Sequence, residues 1–419
     1  MRLTITSLAK GGEGVARADI DGRGRVVLVA RTAPGDVVDA VVSRTGQALR
    51  GEVATIVVPS PDRITPPCPH AERCGGCDLM HLTIDAQRAA RARIVRELIG
   101  VPDEVAWRQH DAPQVLQYRT RMRLAVEARH GRTVVGFRRA RSHDIVQVDR
   151  CVVCSEVIDE ARVRMAPWLS SCTGRGEIGI SLGAARRPAI HLAWDGQLSP
   201  SVFSEAEARV RQGEWAGVQV ALAGATQPAV IGDPRSVTTA MDGATLVAPA
   251  GGFTQAYDAM NLRLAKQVVQ SAACAGRKTL ELFAGSGNFT VGLAAQTDAL
   301  ETVESEPAAA EASRSNLTAR GLVARVRCGD ADGFEVRDDV RVVVLDPPRS
   351  GAPGASARIA ASRTRRVVMV SCDPATLGRD LRTLTERGPF SVASVDLFEM
   401  FPHTSHVETL VVLDRARKG

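Results

Sequence analysis

The hydrophobic positions of the first 58 residues fall into five short runs in which apolar and polar side chains alternate. Glycine-rich turns at 9–14 and 21–25 separate some of these runs, and a proline-rich stretch at 59–70 follows them. Short alternating runs joined by tight turns are typical of small β-barrels. We therefore predict an OB-like barrel over residues 1–58.

The last third of the chain has a different pattern, in which apolar strand-like runs alternate with helical ones. Such alternation predicts a doubly wound, mostly parallel sheet. The connection at 399–406 is too short for a crossover helix, so the last strand is predicted to be antiparallel. Six parallel strands and one reversed strand resemble the Rossmann-like sheet of S-adenosylmethionine-dependent methyltransferases. The seven predicted strands are 278–284, 299–305, 324–330, 340–346, 366–372, 391–398 and 407–414.

These patterns predict an α/β chain of three domains. The OB-like barrel spans 1–58, a central α/β domain that begins with a cysteine cluster spans 59–240, and the methyltransferase-like domain spans 241–419. The sequence has no run of eighteen apolar residues, and its N-terminus lacks the apolar core of a signal peptide. We therefore expect a cytoplasmic protein with no membrane partner, whose cysteines are reduced unless they bind a metal.

Positive charge is concentrated in one segment of the chain. The whole chain has a formal net charge of +6, whereas residues 88–150 hold fourteen arginines against seven acidic residues, a net of +7. Such a segment indicates a polyanion partner. A solvated basic face has the same composition, so composition alone leaves both interpretations open.

A glycine-containing loop follows the first predicted strand of the sheet. Gly285 and Gly287 allow the backbone to turn sharply and to approach a ligand closely. Glu304 ends the second strand, where a carboxylate can accept both hydroxyl protons of a ribose. Asp330 ends the third strand, in a position that suits an adenine amino group, and Asp346 ends the fourth. Each of these carboxylates could instead cap a loop.

Cys372 lies where the fifth predicted strand ends, at the sheet edge where α/β proteins bind their ligands. A lone cysteine could be a buried structural thiol. A thiolate at this edge could instead add to carbon 6 of a pyrimidine, which makes carbon 5 nucleophilic toward a sulfonium methyl group. The helix that follows is expected to lower the pKa of the Cys372 thiol.

The same chemistry needs a base that removes the proton from carbon 5. Glu408 begins the seventh predicted strand, which in this topology lies beside the fifth, and it is the predicted base. His403 and His406 are the alternative bases, although each could instead order the loop in which it lies.

Three C-terminal motifs together resemble the bacterial RNA 5-methyluridine methyltransferase family: residues 346–351, 371–380 and 401–413. Residues 251–261 are similar to the family segment whose glutamine reaches the cofactor, and the predicted barrel resembles a TRAM domain. The resemblance implies that Cys372 is the nucleophile and Glu408 the proton acceptor. It also implies that S-adenosylmethionine is contacted, beside Gly285 of the loop, by Gln255, Phe283, Asn288, Glu304, Asp330 and Asp346.

Cys68, Cys74 and Cys77 form a second candidate site, with the spacing C-x5-C-x2-C. Three clustered cysteines in a reduced compartment usually bind a metal, and Cys151 or Cys154 could supply a fourth ligand. The family resemblance implies a [4Fe-4S] cluster whose fourth ligand is Cys151. Zinc is the alternative, because four thiolates suit zinc as well. Either site would hold two distant segments of the chain together.

The predicted activity is the transfer of a methyl group from S-adenosylmethionine to carbon 5 of a uridine in RNA, by a monomeric enzyme. The barrel and the cysteine cluster favour 23S rRNA over tRNA as the substrate. A non-catalytic RNA-binding protein is disfavoured because Cys372, Glu408 and the cofactor carboxylates occur together. A cytosine-5 DNA methyltransferase is disfavoured because its cysteine would follow the fourth strand of the sheet.

Overall fold

The computed structural model describes residues 1–20, 22–102, 104–129 and 131–416. The chain divides into two compact units. The first unit holds residues 1–100, 138–144 and 401–407, and the second holds 101–137, 145–400 and the residues from 408 onward. No helix in the described part of the chain is long and apolar enough to cross a membrane. The division into three domains stays a prediction.

The N-terminal barrel forms from five strands, as predicted. These are β1 (Arg2–Leu8), β2 (Gly14–Ile20), β3 (Arg23–Val29), β4 (Val37–Thr45) and β5 (Ala48–Val58). They are hydrogen-bonded in the order β1-β2-β3-β5-β4, and pairing between β1 and β4 closes the barrel. Their inward-facing side chains, among them Leu3, Ile5, Val27 and Val29, form a small apolar core.

Helix α1 (Ile84–Ile99) lies within the first unit. It follows the cysteine segment, residues 59–83, which contains Cys68, Cys74 and Cys77. It begins where the Thr83 hydroxyl accepts a hydrogen bond from the Ala86 amide at 3.3 Å. It ends at Gly100, which adopts the left-handed conformation that favours glycine (φ 63°). The apolar side of α1 packs through Ile94 against residues of the barrel and of the cysteine segment.

The second unit contains a seven-stranded central sheet with the order β13-β12-β11-β10-β7-β8-β9. Helices on one side cover it through an apolar core that includes Trp168 and Trp215, while alternate strand residues give the other face a polar surface. In chain order, after β6 (Ala106–His110), the elements are β7 (Arg121–Arg129), β8 (Arg132–Arg138), β9 (Ile145–Val146), α2 (Glu156–Val163), α3 (Met165–Trp168), β10 (Thr173–Leu182), β11 (Pro188–Gln197), α4 (Ser201–Arg211), β12 (Gly217–Leu222) and β13 (Ala229–Gly232).

A hairpin and a long helix follow the central sheet. The hairpin consists of β14 (Ser236–Thr239) and β15 (Thr245–Ala248), and the helix is α5 (Asp258–Ala272). The segment between them, residues 249–257, passes close to the polar face of the central sheet, because Gly251 and Gly252 line a groove on that face.

The C-terminal part of the second unit is the predicted Rossmann-like sheet. Its elements are β16 (Lys278–Leu282), α6 (Thr290–Ala294), β17 (Ala299–Glu304), α7 (Pro307–Thr318), β18 (Arg325–Cys328), β19 (Val342–Leu345), α8 (Pro353–Ala361), β20 (Arg366–Ser371), α9 (Pro374–Arg382), β21 (Phe390–Phe398) and β22 (Glu408–Arg415). The strand order is β18-β17-β16-β19-β20-β22-β21-β6. Strand β22 runs antiparallel between β20 and β21, which confirms the predicted reversal of the last strand.

An eighth strand, β6, extends the seven-stranded sheet that the sequence predicts, and it pairs in parallel with β21. Arg108 donates two hydrogen bonds of 2.7 Å to the buried Asp396, and His110 Nε2 lies 2.7 Å from the same carboxylate. Burial alone would raise the pKa of Asp396, but these bonds outweigh burial and lower it. Because β6 is short and polar, no apolar pattern predicted it.

Candidate active site

Cys372 and Glu408 lie on neighbouring strands of the larger sheet. Strand β20 ends at Ser371, which pairs with Thr409 near the beginning of β22. One further step of the same antiparallel register places Cys372 opposite Glu408. The Cys372 thiol is half-buried and the Glu408 side chain is buried, so the two groups face each other in a largely water-excluded place.

The Cys372 thiol has a raised pKa in this structure, so the expectation that the following helix lowers it was wrong. Burial is the largest cause, the Glu408 and Asp346 carboxylates add to it, and Arg349 opposes it, which brings the pKa to about 12. Asp373 caps the helix that follows, because its Oδ1 accepts hydrogen bonds from the amides of Ala375 and Thr376.

Two carboxyl groups act on the thiol: the Glu408 side chain is buried, and Asp346 is half-buried. Burial raises the pKa of Glu408, the neighbouring Asp346 raises it further, and Arg349 lowers it. Burial also raises the pKa of Asp346 to about 7. No described donor forms a hydrogen bond with either carboxyl group. Carboxyl groups that are desolvated and unpaired are ready to interact with a bound ligand or to take up a proton.

The two alternative bases lie in the first unit, in the loop 401–407. His403 is buried, its amide donates to Gln87 Oε1 at 2.9 Å, and its Nδ1 lies 3.3 Å from Gln87 Nε2. His406 is exposed, and its ring packs edge-on against Phe401. His403 therefore orders the loop, which is the second role that the sequence left open for it.

The predicted cofactor loop has the backbone of a ligand-binding turn. Phe283, Gly285 and Gly287 all have positive φ angles, of 61°, 56° and 94°. Such strain in a non-glycine residue is found mainly where the surrounding structure enforces it, often at functional sites. The Gly285 amide donates to Glu304 Oε2 at 2.8 Å, so the carboxylate at the end of β17 also fixes the loop.

Asn288 belongs to this loop, and Gln255 lies in the segment before α5. Asn288 forms two reciprocal amide hydrogen bonds with Asn261 of α5, at 2.8 and 2.9 Å. Gln255 is buried, and its Oε1 has no hydrogen-bond partner among the described residues. A buried amide oxygen is costly to leave unpaired. Its position therefore fits a ligand that brings a donor.

Asp330 has the loop-capping role that the sequence left open for it, and Glu281 is an acid that the sequence analysis did not single out. Asp330 is exposed, and both of its carboxylate oxygens cap their own turn by accepting from the amides of Asp332 and Gly333. Glu281, which sequence reasoning missed, is buried inside β16 and accepts a 2.6 Å hydrogen bond from Thr290. Burial raises the pKa of Glu281 to about 8. An acid within an apolar strand was the signal that could have revealed it.

The predicted metal ligands lie in both units. Cys68, Cys74 and Cys77 are half-buried in the first unit, where the Gly76 amide donates to Cys74 Sγ at 3.4 Å. Amide donors of this kind are usual at iron–sulfur thiolates. Among the residues that the structure describes, however, no group of three or more His, Cys, Asp or Glu is arranged to hold a metal ion. The donor chemistry fits a metal, and the site stays a prediction.

Cys151 and Cys154 form a pair in the second unit. A hydrogen bond from the Cys154 thiol lowers the pKa of Cys151 to about 6, against the effect of burial. The same bond and burial raise the pKa of Cys154. A metal ligand must be a thiolate, so a proton would leave this pair when either cysteine binds a metal.

A groove of about 90 Å³ lies on the polar face of the central sheet, and sequence reasoning did not predict it. Arg121 lines it, donates to the Thr254 carbonyl at 3.4 Å, and places its guanidinium 5.5 Å from the ring centre of the exposed Phe253. Within the described part of the chain Arg121 has no carboxylate partner. Burial and the adjacent Arg123 lower the pKa of Arg121.

His191 forms another wall of the groove. Its Nδ1 lies 2.9 Å from Gln219 Oε1, and burial lowers its pKa, so the ring is neutral at pH 7. A neutral ring that donates through Nδ1 can accept a hydrogen bond at Nε2. Gly251 packs on this ring, where a Cβ atom would come within 2.9 Å of it.

The model of the tRNA (uracil-5-)-methyltransferase family matches residues 323–416, which contain Asp346, Cys372 and Glu408. A solved structure has the same fold: that of the Pyrococcus abyssi tRNA (uracil-54, C5)-methyltransferase in complex with S-adenosyl-L-homocysteine. The match covers 99% of this chain and 100% of that one, with a TM-score of 0.77 and 22% sequence identity.

Curated relatives match the chain over nearly its whole length. It is 34% identical over 436 residues to the 23S rRNA (uracil(1939)-C(5))-methyltransferase RlmD of Chromohalobacter salexigens. This alignment covers 99% of this chain and 89% of that protein. It is also 34% identical over 443 residues to an uncharacterized RNA methyltransferase of Streptomyces coelicolor, covering 99% and 93%. The chain therefore belongs to the family of S-adenosylmethionine-dependent RNA uracil-5-methyltransferases.

Proposed function

We propose that Cys372 is the nucleophile and Glu408 the general base in the methylation of carbon 5 of a uridine in 23S rRNA. One observation carries the two roles: the antiparallel register of β20 and β22 brings the Cys372 thiol opposite the Glu408 carboxyl group. One group can thus add to the pyrimidine ring while the other reaches the neighbouring ring carbon.

The reaction proceeds in two halves. The Cys372 thiolate adds to carbon 6, and the electron pair of the ring double bond moves to carbon 5. Carbon 5 then takes the methyl group, whose bond to the sulfonium sulfur breaks and leaves the neutral thioether. Glu408 next removes the proton from carbon 5. The released electron pair re-forms the ring double bond, the bond between sulfur and carbon 6 breaks, and Cys372 leaves as a thiolate.

The raised pKa of Cys372 fits a thiol that ionises only when its partners are bound. Without ligands, Glu408 and Asp346 disfavour a third negative charge. S-adenosylmethionine supplies the methyl group and a positive sulfonium charge. A positive charge near these carboxylates lowers the pKa of the thiol, so Cys372 loses its proton to solvent in the loaded site and stays neutral otherwise.

The residues around the glycine loop hold S-adenosylmethionine. Gln255 offers an unpaired buried oxygen, and Asp346 offers a carboxyl group that no described donor reaches. Glu304 accepts ribose hydroxyls, with one oxygen already committed to Gly285. Phe283 and Asn288 shape the loop. Each carboxylate oxygen of Asp330 accepts one hydrogen bond within its own turn, so each has a lone pair left to accept a hydrogen bond from the cofactor.

The polar face of the central sheet is the RNA surface. Arg121 and Arg123 neutralise phosphates beside the groove, and His191 presents an acceptor to a base. The segment that lines this groove also contains Gln255, a proposed contact of S-adenosylmethionine, so RNA binding and cofactor binding share one segment. Several curated relatives are named 23S rRNA methyltransferases, whereas the matching family model and the solved structure are named for tRNA.

Salt dependence tests the RNA surface. Replacing Arg121 and Arg123 together by glutamate should flatten the dependence of log K on log salt by about 1.4, since each phosphate contact with a single strand contributes about 0.7. Arg211→Glu, on helix α4 at the other face of the sheet, is the matched control and should leave the slope unchanged. Equal slopes for the wild type, the double variant and Arg211→Glu would show that Arg121 and Arg123 contact no phosphate.

Cys68, Cys74, Cys77 and Cys151 hold a [4Fe-4S] cluster with a structural role. Anaerobically purified protein should contain about four irons per chain. Cys68→Ser and Cys151→Ser should lose the iron, whereas Cys154→Ser and the exposed Cys328→Ser should keep it. One zinc per chain instead of iron would show that the cysteines form a zinc site. Loss of iron in Cys154→Ser but not in Cys151→Ser would show that Cys154 is the fourth ligand.

The substrate is tested by mapping 5-methyluridine in rRNA and tRNA from a strain that lacks this gene. One 23S site should lose its methyl group and regain it with the wild-type gene, but not with the Cys372→Ala gene. Loss in tRNA only would favour the alternative substrate. Unchanged 5-methyluridine in both RNAs would contradict the proposed function.

A further inference from the structure

The loop 401–407, directly before Glu408, is held by buried polar contacts within the first unit. The carboxylate of Asp78 accepts two hydrogen bonds from one residue: its Oδ1 from the Ser405 amide at 2.7 Å, and its Oδ2 from the Ser405 hydroxyl at 2.5 Å. Gly12 packs on this carboxylate so closely that a Cβ atom there would lie 2.7 Å from Oδ2. Asp78 therefore has little room to move.

Helix α1 holds the same loop from a second side. Gln87 is fully buried, accepts from the His403 amide at 2.9 Å, and donates to the Leu82 carbonyl at 2.9 Å. Arg91, on the next turn of the helix, donates to the Thr404 carbonyl at 3.0 Å. Three consecutive residues of the loop, 403 to 405, are thus bound by side chains of the cysteine segment and of α1.

The loop is strained where it is held. His403 has a positive φ of 68°, which is uncommon for a residue other than glycine. A residue stays in such a conformation only when surrounding contacts enforce it. The Gln87 bonds at the His403 amide and ring, together with a 3.0 Å bond from the Leu79 amide to the His403 carbonyl, supply that enforcement.

Glu408 has no comparable support of its own. No described donor forms a hydrogen bond with its carboxyl group. Glu408 is the first residue of β22, and it pairs with Phe398 of β21. Glu408 is therefore the first residue after a loop whose own position is set by the contacts described above.

We propose that Asp78 and Gln87 are positioning residues for Glu408, which they hold in place through the loop 401–407. The proposal rests on the role of Glu408 as the base. Cys372 lies between strand β20 and helix α9, on a different segment of the chain from this loop. Loosening the loop should therefore slow proton removal and leave attack and methyl transfer intact.

Two measurements separate this role from a general effect on folding. Single-turnover methyl transfer reports attack, and the fraction of enzyme in a denaturation-resistant RNA adduct during steady state reports failure of proton removal. In Asp78→Ala and Gln87→Leu, methyl transfer should stay within twofold of wild type. Multiple turnover should fall about tenfold to a hundredfold, the cost of misplacing a reacting group by about 1 Å, and the adduct should accumulate.

Controls keep the outcome interpretable. Ser405→Ala removes only one of the two bonds to Asp78, so it should fold and show a smaller accumulation of adduct. Asp85→Ala removes a carboxylate in the first turn of α1 that is 95% exposed, and this variant should behave as wild type. If methyl transfer and turnover fall together in Ser405→Ala and Asp78→Ala without adduct, or if neither changes, the positioning role is overturned. If Glu408→Gln itself turns over normally, the proposed function fails instead.

Discussion

Cys372 and Glu408 occupy neighbouring strands, yet the protein holds them in different ways. Cys372 is fixed by residues beside it in sequence: Ser371 ends its strand, and Asp373 caps the helix that follows. Glu408 follows a loop whose partners are remote, because Ser405 binds Asp78 across 327 positions and His403 binds Gln87 across 316. In the proposed mechanism, the first half of the reaction uses a residue flanked by local structure, and the second half uses a residue that follows a loop held by long-range contacts.

Removing the nucleophile should have the largest effect. Cys372→Ala cannot add to carbon 6, so methyl transfer should fall by at least about 10³-fold, as is usual when a nucleophile is lost. Radiolabelled methyl transfer to RNA measures this, with the exposed Cys328→Ala as the matched cysteine control. Normal turnover by Cys372→Ala would show that the residue is only a half-buried thiol.

The pH dependence of adduct decay should report Glu408. A general base works as a carboxylate, and burial raises the pKa of Glu408, the proposed base, to about 8. Below that pH the group is protonated and cannot accept the carbon 5 proton, so decay should slow about tenfold for each pH unit below 8 and level off above it. The adduct is accumulated at pH 6, and its decay is measured after the pH is raised rapidly to each test value. A decay rate that does not vary between pH 6 and 8 would contradict the assignment.

Asp373→Ala should disturb the local support of Cys372 and have a smaller effect. It removes the cap of α9, whose oxygen lies 3.0 and 3.2 Å from the first two amides, and should lower the free energy of unfolding by about 1 kcal/mol. Single-turnover methyl transfer should slow while no adduct accumulates, the opposite of the pattern expected for Asp78→Ala. Adduct accumulation in Asp373→Ala would mean that the two supports are not separate.

The same contrast explains how much of the site could be predicted from sequence. Apolar runs of parallel strands end at a common edge of a sheet, so their pattern was enough to find Cys372, Glu304 and Asp346. The reversed strand β22 and its place beside β20 followed from the short connection before it. These features depend on hydrophobic periodicity and chain length, which are visible in one sequence.

Other features depend on tertiary contacts that no local pattern shows. The polar strand β6 joins the sheet through the buried bonds of Arg108 and His110 to Asp396. The raised pKa of Cys372 results from burial and two carboxylates, although the adjacent helix alone suggested a lowered one. The contacts of the loop before Glu408 join residues from opposite ends of the chain. Each of these needs the folded structure.

Trapping of the covalent intermediate by Glu408→Gln tests the central claim most directly. This variant should still attack carbon 6 and transfer the methyl group, but it cannot remove the carbon 5 proton, so the thiolate cannot leave. A protein–RNA complex that contains the methyl group should therefore survive denaturing electrophoresis, and adding Cys372→Ala should abolish it. If Glu408→Gln releases methylated RNA at the wild-type rate and traps no complex, Glu408 is not the base, and the division of the reaction between these two residues is wrong.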